Sequence, residues 1–245
     1  VNKFSALAIL LPFGISTFNN KTFLSISSLT ESFYSNYLLT SNIFLLCILM
    51  ILLRDFCAYG THWLQHNNVL LWNWHELHHS ATQMTLLNEQ RIAIYEQIFN
   101  KIIFIPINTL IGLLMATALK NGEIIIFITL ICYLLSNELI GILSHGSTKI
   151  IFPKPISFIF LSPSLHWIHH SEDPKHFGKN LGAMFTFWDI IFGSYLSENH
   201  INEVKSFGIK DTEYNKRHPI ISYTITPILK TLVTFKRILF FKKHI

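Results

Sequence analysis

The chain has 245 residues, of which 50% are hydrophobic and 13% are charged, and its formal net charge is +5. Soluble domains contain about 25% charged residues, so this deficit argues against an ordinary soluble domain and indicates a membrane protein. The same apolar content argues against nucleic-acid binding, because basic residues that flank membrane spans explain the positive charge better. The three cysteines form no C-x-x-C pair, so the sequence supports neither a disulfide framework nor a thiolate zinc site.

The first half of the chain predicts transmembrane helices. The N-terminal segment, residues 1–36, contains a possible weak first span at 4–18. Since a span needs about 20 mostly apolar residues, three further segments qualify with their flanks: 37–53, 101–119 and 123–144. The short sequence KNGE joins the last two segments and predicts a helical hairpin. We therefore expect an all-α, multi-pass membrane bundle with about three or four spans.

Two apolar segments of the second half are not expected to cross the membrane. Residues 151–161 are too short for a span and suit a surface-lying or re-entrant segment. The last residues, 226–245, form a basic amphipathic tail that is predicted to rest on the membrane surface. A partly disordered tail is the alternative. Residues 37–225 are predicted to form one membrane-embedded domain.

The hairpin also predicts the orientation of the chain. Because it leaves and returns on one side, the loop 54–100 and all residues after His145 share one face of the membrane. Residues 145–245 carry 13 of the 19 lysines and arginines, whereas the opposite side would hold only Lys21 and Lys120. The positive-inside rule therefore predicts that this face lies in the cytoplasm.

Nine histidines form four groups on this same face. They are His62 and His66 in HWLQH, His75, His78 and His79 in HELHH, the single His145, and His166, His169 and His170 in HWIHH. Residues three or four apart share one side of a helix, so each group can present its imidazoles together. Neutral imidazole is the commonest protein metal ligand, and nine ligands are too many for one ion but suit two. The sequence thus predicts a dinuclear metal centre in a histidine-rich helical cap.

The other four histidines fit no shared spacing. We interpret His200, His218 and His244 as surface residues and leave His176 open. Metal-bound histidines usually donate their second N–H to a carboxylate or a carbonyl. The acidic residues placed to accept such bonds are Asp55, Glu76, Glu138, Asp173 and Asp189. Of these, Glu76 and Asp173 are more simply interpreted as solvated or helix-capping.

The order of the histidine groups resembles the fatty acid hydroxylase superfamily, which includes the sterol desaturases. The similarity covers about residues 45–225. It is most specific after the last histidine group, where Asn180-x-Gly182 is followed by Trp188-Asp189 and by FGSY at 192–195. The resemblance implies a cytosolic cap that holds a non-haem di-iron centre, with the nine histidines as iron ligands. Asn180, which belongs to this motif, joins Asp55, Glu138 and Asp189 among the residues expected to support the ligands.

The resemblance further implies a lipid-modifying oxidoreductase. Such an enzyme uses O2 to hydroxylate or desaturate a sterol, a fatty acyl chain or a related lipid, and takes electrons from a separate cytochrome or ferredoxin. Trp63, the Ile92-Ala93 pair after Arg91 and the Gly146-Ser147 pair depart from residues common in relatives, which weakens any assignment to the sterol branch. A polytopic membrane carrier or sensor of zinc is the alternative, although ion pathways usually place ionisable groups near the middle of spans.

Overall fold

The computed structural model of the chain describes residues 43–120 and 122–241. Within these ranges the chain is helical, with two isolated β-bridges and no strand, which confirms the all-α prediction. In chain order the α-helices are α1 (Ile43–Asn67), α2 (Val69–His79), α3 (Ile94–Lys120), α4 (Ile124–Ser144), α5 (Lys154–Ser157), α6 (Pro163–His169), α7 (Phe187–Phe192) and α8 (Pro219–Phe241). The predicted weak span at 4–18 lies outside the described residues.

Three of these helices are long and apolar enough to cross a membrane, namely α1, α3 and α4. They correspond to the three stronger spans predicted from the sequence. Two of them extend beyond the apolar segments, because α1 continues to Asn67 and α3 already begins at Ile94. These extensions bring polar residues, including His62 and His66, into the same continuous helices as the apolar segments.

The described residues divide into two compact units. Residues 43–57 and 101–136 form one unit, and residues 58–100 and 137–241 form the other. All nine histidines of the predicted centre belong to the second unit, so the geometry of the centre is a property of that unit alone.

A single residue separates α1 from α2. Asn68 has an extended backbone, with φ −112° and ψ 116°, and its side chain accepts hydrogen bonds from the backbone N–H groups of Leu70 and Leu71. This is an N-cap, which starts the second helix in a new direction. The turn brings His66, near the end of α1, to a ring-centroid distance of 4.8 Å from His79, at the end of α2.

Apolar clusters support the two helices that carry histidine triples. On α2, Leu77 is buried together with Ala93 and Tyr214. Under α6, four buried side chains form a second cluster, Leu161, Leu165, Ile168 and Ile201. Leu77, Leu165 and Ile168 each directly precede a histidine, so the packing that buries these three side chains also fixes the direction in which the neighbouring imidazoles point.

The two segments of the second half that were not expected to span the membrane differ in structure. The 151–161 segment contains the short helix α5 and ends with Phe160 bridged to Phe185. The described part of the predicted tail, residues 226–241, belongs to α8, which begins at Pro219 and packs on α2 and on the short 3-10 helix Glu213–Asn215. The boundary that the sequence suggested at residue 226 therefore falls inside a helix.

Candidate metal centre

The second unit brings the nine histidines together in two sets. The first set, called the five-histidine set below, contains His62, His66, His75, His79 and His169. The second, called the four-histidine set, contains His78, His145, His166 and His170. Within each set, one ring nitrogen from every residue lies within 4.8 Å of the others. Each candidate ligand of the sequence therefore falls in one of the two sets.

The four-histidine set has the spacing of ligands that share one ion. The Nε2 atom of His145 lies 3.0 Å from Nε2 of His78, 3.0 Å from Nε2 of His166 and 3.2 Å from Nε2 of His170. Two nitrogens bound at about 2.1 Å to one tetrahedral ion lie about 3.4 Å apart. All four residues are buried, so little water can reach these nitrogens.

The five-histidine set contains nitrogen atoms with unused lone pairs. The buried Nε2 atoms of His62, His66 and His169 have no hydrogen-bond partner within the part of the chain that the structure describes. The Nε2 atoms of His75 and His79 lie 3.2 Å apart. A buried polar atom without a partner costs about 1–3 kcal/mol, and a metal ion bound by these nitrogens would remove that cost. Both the donor type and the orphaned atoms thus fit a nitrogen-bound metal ion.

Backbone carbonyls set the protonation of several rings. The Nδ1 atom of His62 lies 2.9 Å from the carbonyl oxygen of Leu181, and Nδ1 of His169 lies 2.8 Å from that of Lys179. Since a carbonyl oxygen can only accept, each Nδ1 must carry the hydrogen. The neutral ring then has its lone pair on Nε2, the atom directed into the set, as metal ligands commonly do.

Two carboxylates that were not among the acidic candidates of the sequence also accept a hydrogen bond from Nδ1 of a histidine. Glu96 Oε1 lies 2.7 Å from Nδ1 of His75, and Glu89 Oε2 lies 2.9 Å from Nδ1 of His145, which also contacts the carbonyl oxygen of Gly141 at 2.9 Å. Glu96 stands in the first turn of α3, before the apolar segment predicted from the sequence. An acidic residue is favourable in the first turn of any helix, so nothing in the local sequence around Glu96 or Glu89 pointed to a histidine partner.

Asp189 supports the centre through a loop rather than by contact with a ring. It is fully buried and accepts hydrogen bonds from the backbone N–H of Leu181 at 2.7 Å, the N–H of Gly182 at 2.9 Å and the hydroxyl of Ser194 at 2.6 Å. Burial raises the pKa of Asp189, while these three donors oppose that rise. Because the carbonyl of Leu181 holds His62, Asp189 fixes the position of that acceptor.

Asn180 anchors the start of the same loop. Its backbone has a positive φ of 53°, a conformation that asparagine tolerates better than most residues. Its side-chain amide donates to the carbonyl oxygens of Leu165 and Leu196 and accepts from the N–H of Leu196. Asn180 therefore ties the loop to α6, the helix that carries His166 and His169.

The other acidic candidates occupy different environments. Glu138 is exposed on α4, and the carboxylate that reaches His145 is Glu89 instead. Asp55 is buried in the first unit. Glu76 accepts a hydrogen bond from Thr212 and pairs with Lys230, and the Asp173 side chain accepts from the N–H of Lys175.

The remaining described histidines lie outside both sets. His176 is buried, with its Nε2 atom 3.5 Å from a carboxylate oxygen of Glu203. His200 is partly exposed and contacts Glu203 at 2.9 Å. His218 is exposed, and His244 lies outside the described residues.

A cavity of about 490 Å³ opens beside the five-histidine set. Its walls include Val69, Trp72, Phe177 and Ile209, and His66, His79, His169 and His170 also line it. Among the described residues, no lysine, arginine, aspartate or glutamate lines this cavity. It can therefore hold an uncharged, mainly apolar group next to the candidate ligands.

Comparison with known proteins decides the family. The family model described as fatty acid hydroxylase matches residues 47–194, which is more than half of the chain and includes all nine histidines of the two sets. The chain belongs to the fatty acid hydroxylase family. This confirms the resemblance drawn from the order of the histidine groups.

The curated relatives that this member of the fatty acid hydroxylase family matches include proteins that modify lipids. The ornithine lipid hydroxylase of Rhizobium tropici is 28% identical over 149 residues, which cover 60% of this chain and 41% of that protein. The alkylglycerol monooxygenase of Caenorhabditis elegans is 26% identical over 161 residues, covering 62% and 27%. The human alkylglycerol monooxygenase is 25% identical over 170 residues, covering 69% and 32%. The chain thus spans less than half the length of these relatives. No solved structure matches it significantly.

Burial keeps six imidazoles outside the spans in their neutral form. It is the main cause that lowers the pKa of each well below the usual 6.5, and repulsion from neighbouring rings lowers it further. The residues concerned are His75, His78, His79, His166, His169 and His170. Neutral rings are the form that binds metal, so the folded unit presents ligands that need not lose a proton first.

We predict that the metal-free protein loses stability as the pH falls below 6.5. The unfolded chain takes up protons near that pH, whereas the folded unit resists them, so acid favours unfolding. Each such histidine contributes up to about 1.4 kcal/mol per pH unit. Thermal unfolding of chelator-treated protein between about pH 8 and pH 5 would show the loss. A melting temperature that did not change over this range would contradict the prediction.

Proposed function

We propose that the chain is an oxygen-dependent lipid hydroxylase or desaturase whose two histidine sets each hold one iron ion. The observation that carries the proposal is the convergence of nine ring nitrogens in two separate sets, inside the region matched by the family. Imidazole nitrogen is a suitable ligand for iron, and no cysteine belongs to either set. The names of the relatives, a lipid hydroxylase and monooxygenases, support the reaction class.

The iron ions, when bound, would supply the redox chemistry that activates O2 for attack on an aliphatic C–H bond. The chain itself positions the ring nitrogens and limits the access of water to them. The carbonyls of Leu181 and Lys179, with the carboxylates of Glu89 and Glu96, keep the hydrogens on Nδ1 and leave Nε2 free. Burial of seven of the nine histidines limits the access of water to their rings.

The cavity beside the five-histidine set is the proposed site for the reacting part of the substrate. Its uncharged walls suit the hydrocarbon segment of a lipid, and a charged head group would stay outside it. The relatives are named for ornithine lipids and alkylglycerols, so we favour a lipid with a linear chain over a sterol. Trp72 lies 5.2 Å from the ring of His66 and 5.5 Å from that of His79, and would contact this chain close to the centre.

Isotope-labelled oxygen tests the function directly. Cells that produce the chain, grown under ¹⁸O2, should contain a lipid that carries ¹⁸O if it is a hydroxylase, or a lipid with an added double bond if it is a desaturase. Cells with the His78→Ala variant should contain neither. A lipid profile that the two strains share would contradict the proposal, provided that both proteins accumulate equally in the membrane.

The zinc carrier is the weaker alternative. Transport needs ligands that an ion can reach and leave, whereas seven of the nine histidines are buried and several are fixed by carbonyls or carboxylates. The membership of the chain in the fatty acid hydroxylase family also favours an oxidoreductase.

We propose further that the histidine face lies in the cytoplasm, where a separate cytochrome or ferredoxin can deliver electrons. The excess of lysine and arginine after His145 supports this orientation. Lys149 and Lys179 would then face the cytoplasm, and Lys120 and Lys21 would face the other side.

The orientation predicts the outcome of cysteine labelling in intact cells. A membrane-impermeant thiol reagent should label a cysteine at position 120 from the outside and should reach one at 149 or 179 only after the cells are opened. Each cysteine should be introduced into a variant from which the native Cys47, Cys57 and Cys132 have been removed. If positions 120 and 179 were labelled from the same side, the hairpin arrangement of α3 and α4 would be wrong.

A further inference from the structure

Helix α8 contacts α2 through polar side chains. The indole N–H of Trp74 donates to Thr231 Oγ1 at 3.1 Å, and the amide of Asn73 donates to Thr234 Oγ1 at 3.0 Å. Lys230 pairs with Glu76, which stands between the candidate ligands His75 and His78. The inward stripe of α8 is therefore hydrophilic, and it holds the helix that carries three candidate ligands.

The outward stripe of α8 is apolar. It consists of Ile225, Ile228, Leu232, Phe235 and Leu239, which are 49%, 38%, 53%, 51% and 52% exposed. Their spacing of three and four residues places them on one side of the helix. A helix on a water-facing surface would have the opposite arrangement, with its apolar stripe inward and its polar stripe outward. An exposed apolar stripe of this length marks a surface that contacts a membrane or another protein.

The charges on α8 favour a membrane. Lys236 and Arg237 are exposed near its C-terminal end, and Lys216 and Arg217 precede its first turn. Within the described ranges, three other helices meet the length and hydropathy expected of a span, and α8 is not among them. Basic residues beside an apolar helical face, without enough hydropathy to span, are typical of helices that lie in the interface with anionic lipid. The three spans place a bilayer against this chain.

We propose that α8 is an interfacial membrane helix, whose outward stripe inserts among lipid acyl chains while its inward stripe fixes α2 at the membrane surface. The outward face of α8 would then hold α2, the helix that carries His75, His78 and His79, at the level of the lipid. The proposal is independent of the metal and of the reaction, because it rests on the polarity of α8, on the basic residues in and before it, and on the three candidate spans.

Spin-label accessibility tests this placement. The full chain, with its three native cysteines replaced, carries a nitroxide at Leu232→Cys or at Leu239→Cys and is reconstituted in nanodiscs of phosphatidylcholine and phosphatidylglycerol. Lys210→Cys is the matched control, since the Lys210 side chain is 81% exposed in the same unit. Frequent collisions of the nitroxide with O2 indicate a lipid environment, because O2 concentrates in lipid. Frequent collisions with a water-soluble nickel chelate indicate that the nitroxide lies in water.

The expected result is a ratio of O2 to nickel collisions several-fold higher at Leu232 and Leu239 than at Lys210. A ratio at Leu232 equal to that at Lys210 would place the stripe in water and overturn the proposal. Low collision rates with both reagents would show that protein covers the stripe, and would overturn it as well. Monodisperse elution and an unchanged helix content establish that each variant is folded. No readout of this test involves iron or turnover. The placement of α8 can therefore be refuted while the proposed function holds, and the proposed function can be refuted while the placement holds.

Discussion

His169→Ala is expected to abolish the formation of oxidised lipid. His169 contributes to the five-histidine set a buried Nε2 atom that has no hydrogen-bond partner among residues 43–120 and 122–241. Its Nδ1 is held by the carbonyl of Lys179. The variant removes this nitrogen and leaves a position that water would fill. Loss of residues that only support ligands typically costs about 10- to 100-fold in metal affinity or activity, so loss of a ligand should exceed about 100-fold. Oxidised lipid per folded protein is the measurement.

His200→Ala is the matched control for this experiment. His200 is 40% exposed, contacts Glu203 and belongs to neither set, so its loss should leave activity near the parental level. Folding must be measured separately for both variants, because a missing ligand can also destabilise the second unit. If His169→Ala retained full activity, the assignment of His169 as a ligand would be wrong. Equal damage from both variants would invalidate the distinction between the ligands and the other histidines.

Asp189→Asn is expected to lower metal affinity or activity by about 10- to 100-fold, although residue 189 touches no ring of the centre. The carboxylate accepts from three donors, and an amide has only one oxygen to offer them. At least one buried donor would lose its partner, at a cost of about 1–3 kcal/mol. The loop would shift, and the carbonyl of Leu181 would no longer hold His62 in place. Equilibrium binding of metal and the melting temperature of the variant together measure both effects.

Asp211→Asn provides the comparison. The Asp211 side chain is 96% exposed, and its backbone has a φ of 54°, which asparagine tolerates well. The control should therefore retain the stability and the metal affinity of the parent. A parental metal affinity in Asp189→Asn, at unchanged stability, would show that the loop does not position His62.

The helices and the grouping of the histidines on them could be predicted from the sequence because both depend on local spacing. The division into two sets could not, since it separates His78 from His75 and His79. Apolar segments of sufficient length predict the spans without any knowledge of packing. Likewise, histidines three and four residues apart, such as His75, His78 and His79, must share one side of a helix. The family motif also singled out Asp189 and Asn180, although it did not reveal that they act through the backbone of residues 180–182.

The acidic partners of the histidines could not be predicted in the same way, because they depend on tertiary contacts. Glu138, one of the acidic candidates, lies two helical turns before His145 in the sequence. His145, however, lies just beyond the end of α4, and the chain there brings it to Glu89 while Glu138 remains exposed. The role of the polar side of α8 could not be predicted from the sequence for a related reason. Its threonines and Lys230 have partners on α2, which is about 150 residues earlier in the chain.

The number of iron ions bound per chain tests the central claim most directly. Metal-free protein in nanodiscs would be titrated anaerobically with ferrous iron, and bound iron would be counted against protein after removal of the excess. Zinc must be excluded, since it binds nitrogen ligands more tightly than ferrous iron does. We predict two iron ions per chain, one for each histidine set. A chain that binds one iron ion or none, with all nine histidines intact and the protein folded, would contradict the dinuclear centre.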